Sequence, residues 1–418
     1  MVATLACALA LTSASPIDRV LQDDALKGAI AGICVTTLDG TVVYQHEADT
    51  RLVPASNEKI LTALYAAHTL GMDFKPQTRF WREDDRVLVD APGDPTITKQ
   101  QLLDAKQALN VPEGFAIYVR QAYKPGVPPS WEWDDLPNRY APRITSFSFD
   151  RGGFEIWSQG GAIKELEPEY QLTVTAVGDD GPLKTDYRPD LRAAMVHGPI
   201  PNGDRFIEAF AMPDPAATAA RFLGGTIVNT DERPPDRKPD YVIEGPELRD
   251  VLKECLEKSD NDFAENLFLM SAGKDQALGD DAYKDAEKRI TQFLHDAVGL
   301  PKGSVEPVDG SGMSRHNMVT PKSMCRALRW AYRQDWRGDF LRALASPGEG
   351  TLTSRLRTST FLGKTGTLNA VICLTGYLKD RSGHTLVASM LFNNTIAPPH
   401  DVRALQDRII TILERSSK

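Results

Sequence analysis

The chain has 418 residues, which is enough for two or three domains. Its 41% hydrophobic and 25% charged residues are typical of a globular protein, and its net charge of −9 makes nucleic acid an unfavourable partner. No apolar run reaches the roughly 18 residues of a transmembrane segment. The seven histidines and five cysteines have no spacing that predicts a metal site.

Residues 1–15 are expected to form a secretory signal, with a frayed terminus as the alternative. Val2–Leu11 is a short apolar run followed by small residues, as in the hydrophobic and cleavage regions of such signals, although no basic side chain precedes it. We therefore expect an exported protein, located in the periplasm or at the cell surface.

The first predicted elements are a β-hairpin and a buried helix. Residues 30–47 predict two strands around Asp39-Gly40, a favoured two-residue turn. Pro54 precedes a run of helix formers that Gly71 closes. The apolar residues between them are too numerous for one stripe, which indicates that the helix is largely buried.

The middle of the chain has a different pattern. In residues 74–244, Pro and Gly are frequent, and β-like runs such as ITSFSFD, GGFEIWS and YQLTVTAV alternate with turns. Helical patterns return after residue 245, and the chain ends with two strands and a helix. Because strands occur at both ends, the sequence predicts one α/β (α+β) domain from residues 16–73 and 245–418, interrupted by a β-rich insert.

Three short motifs follow one another along the chain. They are Ser56-Asn57-Glu58-Lys59, Ser259-Asp260-Asn261 and Lys364-Thr365-Gly366-Thr367. Each is weak alone: a Ser-x-x-Lys is expected about once or twice by chance in such a chain, and it recurs at Ser271–Lys274. Their joint occurrence in this order is the informative signal.

The first motif opens the predicted buried helix. Residues three apart on a helix share a face, so Lys59 can reach the Ser56 hydroxyl. A serine becomes nucleophilic when a base takes its proton, and burial favours the neutral amine of lysine. For an isolated match, a capping serine and a solvated lysine would be the simpler interpretation.

The second motif stands where the segment DFAENLFLM predicts a helix. Ser259 is a candidate to relay a proton to a leaving amine, and Asn261 to orient the substrate amide and Lys59. Ser, Asp and Asn also cap helices well, so capping is the alternative here.

The third motif lies in a strand-like segment. Gly366 would let a substrate peptide approach as an added strand. Lys364, Thr365 and Thr367 offer donors for a terminal carboxylate, and the backbone N–H groups of Ser56 and Thr367 are candidates for an oxyanion hole. In isolation, a Lys-Thr-Gly is more often a surface turn.

Together, these motifs are those of penicillin-binding proteins and class A β-lactamases. The long separation between Ser56 and Ser259 excludes a compact β-lactamase. The flanking segments PASNEKILTALYAAHTLG, APGDPTIT, RYAPRITSFSFDRGGFEI, SDNDFAENLF, VDGSGMSRHNMVTP and GKTGTL resemble the class C low-molecular-mass penicillin-binding proteins, the D-Ala-D-Ala carboxypeptidase/endopeptidase family. The resemblance covers essentially the whole chain after the N-terminal segment.

This resemblance implies a fold and a chemistry. The fold is a penicillin-recognising serine transpeptidase/β-lactamase-like domain with two inserted β-rich domains in residues 74–244. The reaction is hydrolysis of D-Ala-D-Ala peptides through an acyl-enzyme on Ser56, without a cofactor. The implied partners are peptidoglycan stem peptides, with β-lactam antibiotics as inhibitors.

The resemblance also implies a pocket for the substrate side chain. Asp135, which lies five residues before Tyr140, matches an acidic residue that recognises the free amino-acid end of diaminopimelate. Arg315 matches an arginine that pairs with the carboxylate of the same end. A solvated loop acid and a structural ion pair are the alternatives for these two residues.

Two other functions stay open. One is a related serine hydrolase acting on other D-amino-acid peptides or esters, which turnover of D-Ala-D-Ala peptides against esters and β-lactams would separate. The other is a non-catalytic peptidoglycan-binding protein, against which the complete motifs argue. An α/β-hydrolase is excluded because the chain has no G-x-S-x-G.

Overall fold

The computed structural model describes residues 15–178 and 181–417. Residues 1–14, nearly all of the predicted secretory signal, lie outside the described residues. In the part of the chain that is described, no helix is long and apolar enough to cross a membrane.

The helices and strands are distributed along the chain as follows. The α-helices are α1 (Pro16–Leu21), α2 (Glu58–Thr69), α3 (Lys99–Ala108), α4 (Pro215–Phe222), α5 (Leu248–Glu257), α6 (Asn261–Ala272), α7 (Ala282–Asp296), α8 (Pro321–Ala331), α9 (Arg337–Ala343) and α10 (Pro399–Arg415). The strands are β1 (Ile30–Thr37), β2 (Val42–His46), β3 (Gln77–Arg82), β4 (Arg86–Ala91), β5 (Phe115–Gln121), β6 (Gly153–Gln159), β7 (Ala162–Ile163), β8 (Thr173–Val177), β9 (Lys184–Arg188), β10 (Ala193–His197), β11 (Arg205–Ala211), β12 (Gly225–Asn229), β13 (Tyr241–Glu244), β14 (Val305–Glu306), β15 (Met318–Val319), β16 (Leu362–Leu368), β17 (Val371–Lys379) and β18 (Thr385–Asn393).

The central sheet joins the two ends of the chain. Its five antiparallel strands have the order β16-β17-β18-β1-β2. The predicted hairpin is confirmed: β1 and β2 flank Asp39-Gly40, and Gly40 has a φ of 100°, which favours glycine. The two predicted strands near the C-terminus are β17 and β18. Strand β16, which carries the third motif, lies at one edge of this sheet.

Helix α2 runs through the core beside the sheet. All ten residues from Glu58 to Ala67 are buried, and α2 packs against α5 and α6. Gly71, with a φ of 84°, follows the end of the helix, as predicted. The segments that predicted later helices form α5, α6, α7, α8 and α10. The first two motifs are thereby held on two buried helices that face each other.

The segment between α2 and α5 contains three further sheets. A five-stranded sheet has the order β12-β5-β4-β3-β13, with parallel pairing on both sides of β5. Two three-stranded sheets have the orders β8-β10-β9 and β11-β6-β7. Two of the predicted β-like runs, GGFEIWS and YQLTVTAV, correspond to β6 and β8.

Two details of this segment differ from the prediction. The run ITSFSFD forms no strand, because within it the Thr145 hydroxyl accepts the backbone N–H of Phe147 in place of a ladder partner. Helices α3 and α4 were not predicted. Their patterns are weak, since α3 buries only Leu102 and Ala105 and α4 is eight residues long.

Two hydrophobic clusters follow this division of the chain. One lies entirely between Phe80 and Ile243. Another surrounds α2 and α5 to α8. This second cluster also includes four side chains from the middle segment, Tyr123, Trp131, Ala141 and Ile144. The bounds 74–244 for the insert, and its division into two domains, remain a prediction.

Arg151 ties the middle segment to the helices that carry the second motif. Its Nη1 lies 3.0 Å from Asp260 Oδ2 and its Nη2 lies 2.6 Å from Glu254 Oε2. The other carboxylate oxygen of Asp260 accepts the N–H of Phe263 at 3.1 Å and so caps α6. The ion pair therefore fixes the residue that directly precedes Asn261.

Candidate active site

Ser56 lies in a 3-10 turn, Ala55–Asn57, immediately before α2. Ala55 has a φ of 48°, a left-handed conformation that costs an alanine about 1–3 kcal/mol. Gly312, with a φ of 85°, packs against the Ala55 carbonyl so closely that a Cβ at this position would collide with it. The turn that presents the Ser56 hydroxyl is thus strained and held by packing.

Lys59 reaches Ser56 from the first turn of α2, as its spacing predicts. The Nζ atom lies 3.1 Å from Ser56 Oγ, 2.6 Å from Asn261 Oδ1 and 2.8 Å from the Ser311 carbonyl oxygen. The last two oxygens can only accept hydrogen bonds. A neutral amine can give them its two N–H groups, which leaves its lone pair directed at the Ser56 hydroxyl.

The environment of Lys59 favours that neutral amine. The side chain is fully buried, and burial lowers the pKa of Lys59 because the ammonium loses its hydration. The nearby carboxyl groups of Glu265 and Asp309 oppose this shift but do not outweigh it. A lowered pKa increases the fraction of Lys59 that can take a proton near neutral pH.

Glu265 positions the Ser311 carbonyl, and the sequence analysis did not identify it. Its two carboxylate oxygens accept the N–H groups of Gly310 and Ser311 at 3.1 and 2.8 Å. Burial first, and then the charge of Asp309, raises the pKa of Glu265 to about 8. The available signal was its spacing, because Glu265 lies four residues after Asn261 and therefore on the same face of α6.

Asp309 anchors the other end of this loop. Its oxygens accept the N–H groups of Gly312 and Ser314 at 2.7 and 2.6 Å, and also the side chains of Trp131 and Asn317 at 2.9 and 2.7 Å. The carboxyl group of Asp309 therefore fixes the backbone conformation of this loop. Within residues 15–178 and 181–417, no group of three or more His, Cys, Asp or Glu side chains is arranged to hold a metal ion.

The second and third motifs meet at Ser259 and Lys364. The Nζ of Lys364 lies 2.8 Å from Ser259 Oγ. Capping of α6 is performed by Asp260, while Ser259 has a φ of 64° and turns its hydroxyl toward the lysine. Burial, together with the charge of Lys59, holds the pKa of Lys364 well below its usual value. Of the three residues that the capping alternative included, only Asp260 acts as the cap.

Asn261 connects Lys59 to the middle segment of the chain. Its Nδ2 donates to the Tyr140 carbonyl at 2.6 Å and lies 2.9 Å from Met313 Sδ. Because that carbonyl can only accept, the amide must direct Oδ1 toward Lys59. The orientation that the motif requires is therefore imposed by its neighbours.

Strand β16 presents outward-facing peptide groups beside Ser56. Gly363 pairs through both its N–H and its C=O with Ala345, on the side away from β17. Along an antiparallel strand, the N–H and C=O groups of every second residue point to the same side. Those of Thr365 and Thr367 therefore point away from β17, as those of Gly363 do. This open edge is suited to a substrate peptide in extended form.

Gly366 allows this edge to approach the nucleophile. A Cβ at this position would lie 2.8 Å from the Pro54 carbonyl oxygen and 3.2 Å from the Ala55 Cβ, which is too close for an ordinary contact. On the same strand, Lys364 Nζ donates to the Thr365 carbonyl at 2.9 Å. The structure therefore brings all residues of the three motifs to one place.

The residues predicted to bind the substrate side chain, Asp135 and Arg315, lie beside these motifs. Each has its own hydrogen-bond partners, and the two do not form an ion pair with each other among the described residues. The Tyr140 hydroxyl donates to Asp135 Oδ1 at 2.7 Å. Arg315 directs its Nε to Glu132 Oε1 at 2.7 Å and its Nη2 to the Asn369 carbonyl at 2.8 Å. Glu132 is a further residue that the sequence analysis missed.

The second Ser-x-x-Lys does not form a comparable site. Ser271 is buried inside α6, and its hydroxyl has no hydrogen-bond partner among the described residues. Lys274 is exposed beyond the end of that helix, with its Nζ 5.0 Å from the centre of the Phe74 ring. Because the Ser271 hydroxyl has no hydrogen-bond partner in the described part of the chain, Lys274 does not contact it, and this pair lacks a base next to its serine.

Comparison with known proteins relates the chain to cell-wall enzymes. The model of the D-Ala-D-Ala carboxypeptidase 3 (S13) family matches residues 13–416. A D-alanyl-D-alanine carboxypeptidase of Actinomadura is 28% identical over 94% of this chain and 82% of its own length. Penicillin-binding protein 4 of Haemophilus influenzae has a similar fold, with a TM-score of 0.80 and 20% identity over 96% of this chain and all of that chain. A peptidoglycan endopeptidase of Bdellovibrio bacteriovorus shares the fold at a TM-score of 0.54 and 13% identity, over 93% of this chain and 94% of its own.

Replacing Glu265 by glutamine should slow the reaction of Ser56. The new NH2 group cannot accept the backbone N–H that it would face, so the Ser311 carbonyl should move away from Lys59. We expect Glu265→Gln to reduce the rate of acylation by a fluorescent penicillin by roughly tenfold or more.

Asp262→Asn is a matched control on the same helix. Asp262 is also buried, burial raises its pKa well above the usual value, and one of its oxygens has no partner among the described residues. Unlike the two oxygens of Glu265, this oxygen accepts no backbone N–H group in the described ranges. The NH2 group of an asparagine can therefore replace it without breaking such a contact, and acylation should stay near the wild-type rate. Wild-type acylation by Glu265→Gln, at unchanged thermal stability, would show that the carboxylate does not position the site.

Proposed function

Because the chain belongs to the D-Ala-D-Ala carboxypeptidase 3 (S13) family, we propose that it cleaves its substrates through an acyl-enzyme on Ser56. It is a serine-type D-Ala-D-Ala carboxypeptidase. The observation that carries the proposal is the placement of Lys59. This fully buried amine touches the Ser56 hydroxyl at 3.1 Å and is otherwise surrounded by oxygens that only accept.

Acylation then follows from this geometry. Neutral Lys59 removes the proton from Ser56 as Oγ bonds to the carbonyl carbon of the penultimate D-alanine. The outward N–H of Thr367, together with that of Ser56, stabilises the oxyanion that forms. When the peptide bond breaks, the leaving nitrogen needs a proton, which Lys59 returns by way of Ser259, itself held by Lys364.

Deacylation repeats the same steps with water. Lys59 is neutral again after the D-alanine leaves, and it can take a proton from a water molecule that attacks the ester carbonyl. The tetrahedral intermediate collapses, and Ser56 recovers its proton as the shortened peptide departs. The reaction consumes one water molecule and one substrate peptide, and every proton that Lys59 takes is returned to D-alanine or to Ser56.

Peptidoglycan stem peptides are the proposed substrates. They end in D-Ala-D-Ala, and a peptide of this kind fits the open edge of β16 as an added strand. Such substrates lie outside the cytoplasm, which supports the export that the apolar N-terminal segment predicts. We also expect β-lactams to acylate Ser56, and a complex of the Haemophilus protein with a β-lactam has been solved.

The identity of the nucleophile can be tested by labelling. A fluorescent penicillin should label the wild type and Ser271→Ala equally, while Ser56→Ala should not be labelled at all. Mass mapping of the adduct should find it on the peptide that contains Ser56. An adduct on the peptide that contains Ser271 would overturn the assignment, and an unlabelled wild type would favour a non-catalytic protein.

The free end of a diaminopimelate side chain is the proposed determinant of substrate preference. One oxygen of Asp135 is occupied by Tyr140, while the other can accept an ammonium group. Glu132 and Asn369 orient the guanidinium of Arg315, whose Nη1 makes no hydrogen bond within the described ranges. Asp135 can therefore hold the ammonium group of a zwitterionic end, and Arg315 can hold its carboxylate.

Asp135→Ala and Arg315→Ala should each lower kcat/KM for peptides with a free diaminopimelate end by roughly tenfold or more, because each removes a charge-assisted hydrogen bond. Rates on a simple D-Ala-D-Ala peptide should hardly change. Asp134→Ala is the matched control, since this neighbouring acid is exposed and its carboxylate makes no hydrogen bond or ion pair among the described residues. Equal losses on both substrates would assign Asp135 and Arg315 a structural role.

A further inference from the structure

A cleft of about 720 Å³ lies between the middle segment and the helices beside the second motif. One side of it is the outward face of β6, where Gly153, Glu155 and Trp157 follow one another at every second position. Asp250 and Glu254 of α5 line another side. The volume of the cleft is in the range of sites that bind small molecules.

Trp157 gives this polar cleft an apolar surface. The residue is 37% exposed. Its Nε1 donates to Glu155 Oε2 at 2.9 Å, and the Phe206 ring packs edge-to-face against it with ring centroids 5.7 Å apart. These two contacts hold the indole in one orientation, so its open surface can serve as a stacking platform for a ligand.

The charged side chains of the cleft carry both signs. Four cations, Lys99, Arg139, Arg151 and Lys164, line it together with six carboxylates. An ion of either sign would therefore meet like charges as well as opposite ones. Hydroxyl and amide groups both donate and accept hydrogen bonds, so they can bond to cations and carboxylates alike. The chemistry of the cleft thus favours an uncharged polar ligand.

Some of these charged groups are available to such a ligand. Within residues 15–178 and 181–417, the side chains of Lys164, Glu165 and Asp250 make no hydrogen bond or ion pair. All three residues are exposed. Binding to them would break no existing contact, so each hydrogen bond to a ligand is gained only against water.

One end of the cleft reaches the second motif. Arg151 and Phe263 both line it. Arg151 pairs with Asp260 at 3.0 Å, and the next residue, Asn261, contacts Lys59 at 2.6 Å. A stem peptide of five residues spans about 17 Å when extended. A peptide of this length can therefore join a group bound in the cleft to Ser56.

We propose that this cleft binds the N-acetylated glycan strand of peptidoglycan, with a sugar ring stacked on Trp157, and thereby directs the attached stem peptide to Ser56. A pyranose ring presents C–H groups on its face, which suit the indole. Its hydroxyl and acetamido groups suit the mixed donors and acceptors around Trp157. The directing role rests on the proposed acyl-enzyme at Ser56, whereas the binding of the glycan does not.

Binding can be measured without turnover. Ser56→Ala should bind soluble glycan chains from which the peptides have been removed, as followed by isothermal titration calorimetry. Adding Trp157→Ala should weaken this binding by roughly tenfold or more, because the stacking surface is lost. Adding Leu191→Ala is the matched control. This residue is 64% exposed in the same segment but does not line the cleft, so binding should not change.

Turnover tests the directing role with two substrates that carry the same pentapeptide. One is the free peptide, and the other is the peptide attached to its disaccharide. For Trp157→Ala, kcat/KM on the disaccharide-peptide should fall roughly tenfold, while the value on the free peptide stays within about twofold. The ratio of the two values is independent of the fraction of enzyme that is folded, so a destabilised variant still gives an answer.

Three results would overturn the proposal. They are a Ser56→Ala protein that binds no peptide-free glycan, glycan binding that Trp157→Ala leaves unchanged, and equal losses of kcat/KM on both substrates. A wild type that cleaves neither substrate, while Ser56→Ala still binds glycan through Trp157, would refute the proposed function at Ser56 and support the glycan site.

Discussion

The burial of Lys59 is the physical constraint on which the rest of this structure depends. An amine enclosed in protein is stable only if it loses its charge or gains well-placed partners. Here it does both, because Asn261 and the Ser311 carbonyl accept its N–H groups while Ser56 faces its lone pair. The same enclosure that makes the lysine a base also requires α2, α6 and the loop that follows Asp309 to meet around it.

The fold supplies this meeting through long-range connections. The central sheet closes with strands from both ends of the chain, which brings β16 against the turn that contains Ser56. The loop of residues 310–314 belongs to no helix or strand. Two buried carboxyl groups fix it, because Glu265 and Asp309 each accept two of its backbone N–H groups. Arg151 reaches from the middle segment to the cap of α6. Strain at Ala55 and Ser259 is retained because the surrounding packing determines both conformations.

Much of the site could be predicted because its chemistry is local. The Ser56–Lys59 contact follows from helical spacing, and the buried helix follows from its apolar composition. The contact between Lys364 and Ser259 depends on sheet closure, so it was predictable only through the resemblance of the motifs to a family. Glu265 shares a helix face with Asn261 by its spacing, but its partners are backbone groups of a loop distant in sequence, so spacing alone does not reveal its role. The run ITSFSFD predicts a strand because its apolar and polar residues alternate. The sequence does not show that one of its hydroxyls bonds to the backbone instead.

The most direct test of this account is the rate at which a penicillin acylates Ser56, measured as a function of pH for the wild type and for Lys59→Arg. In the wild type, the rate should rise with pH as Lys59 loses its proton, over a range below the usual pKa of lysine because burial lowers the pKa of Lys59. Arginine keeps the positive charge but cannot deprotonate, so a folded Lys59→Arg protein should be slower by orders of magnitude and should lose this rise. A folded Lys59→Arg protein that acylates at nearly the wild-type rate would contradict the role of Lys59 as the base.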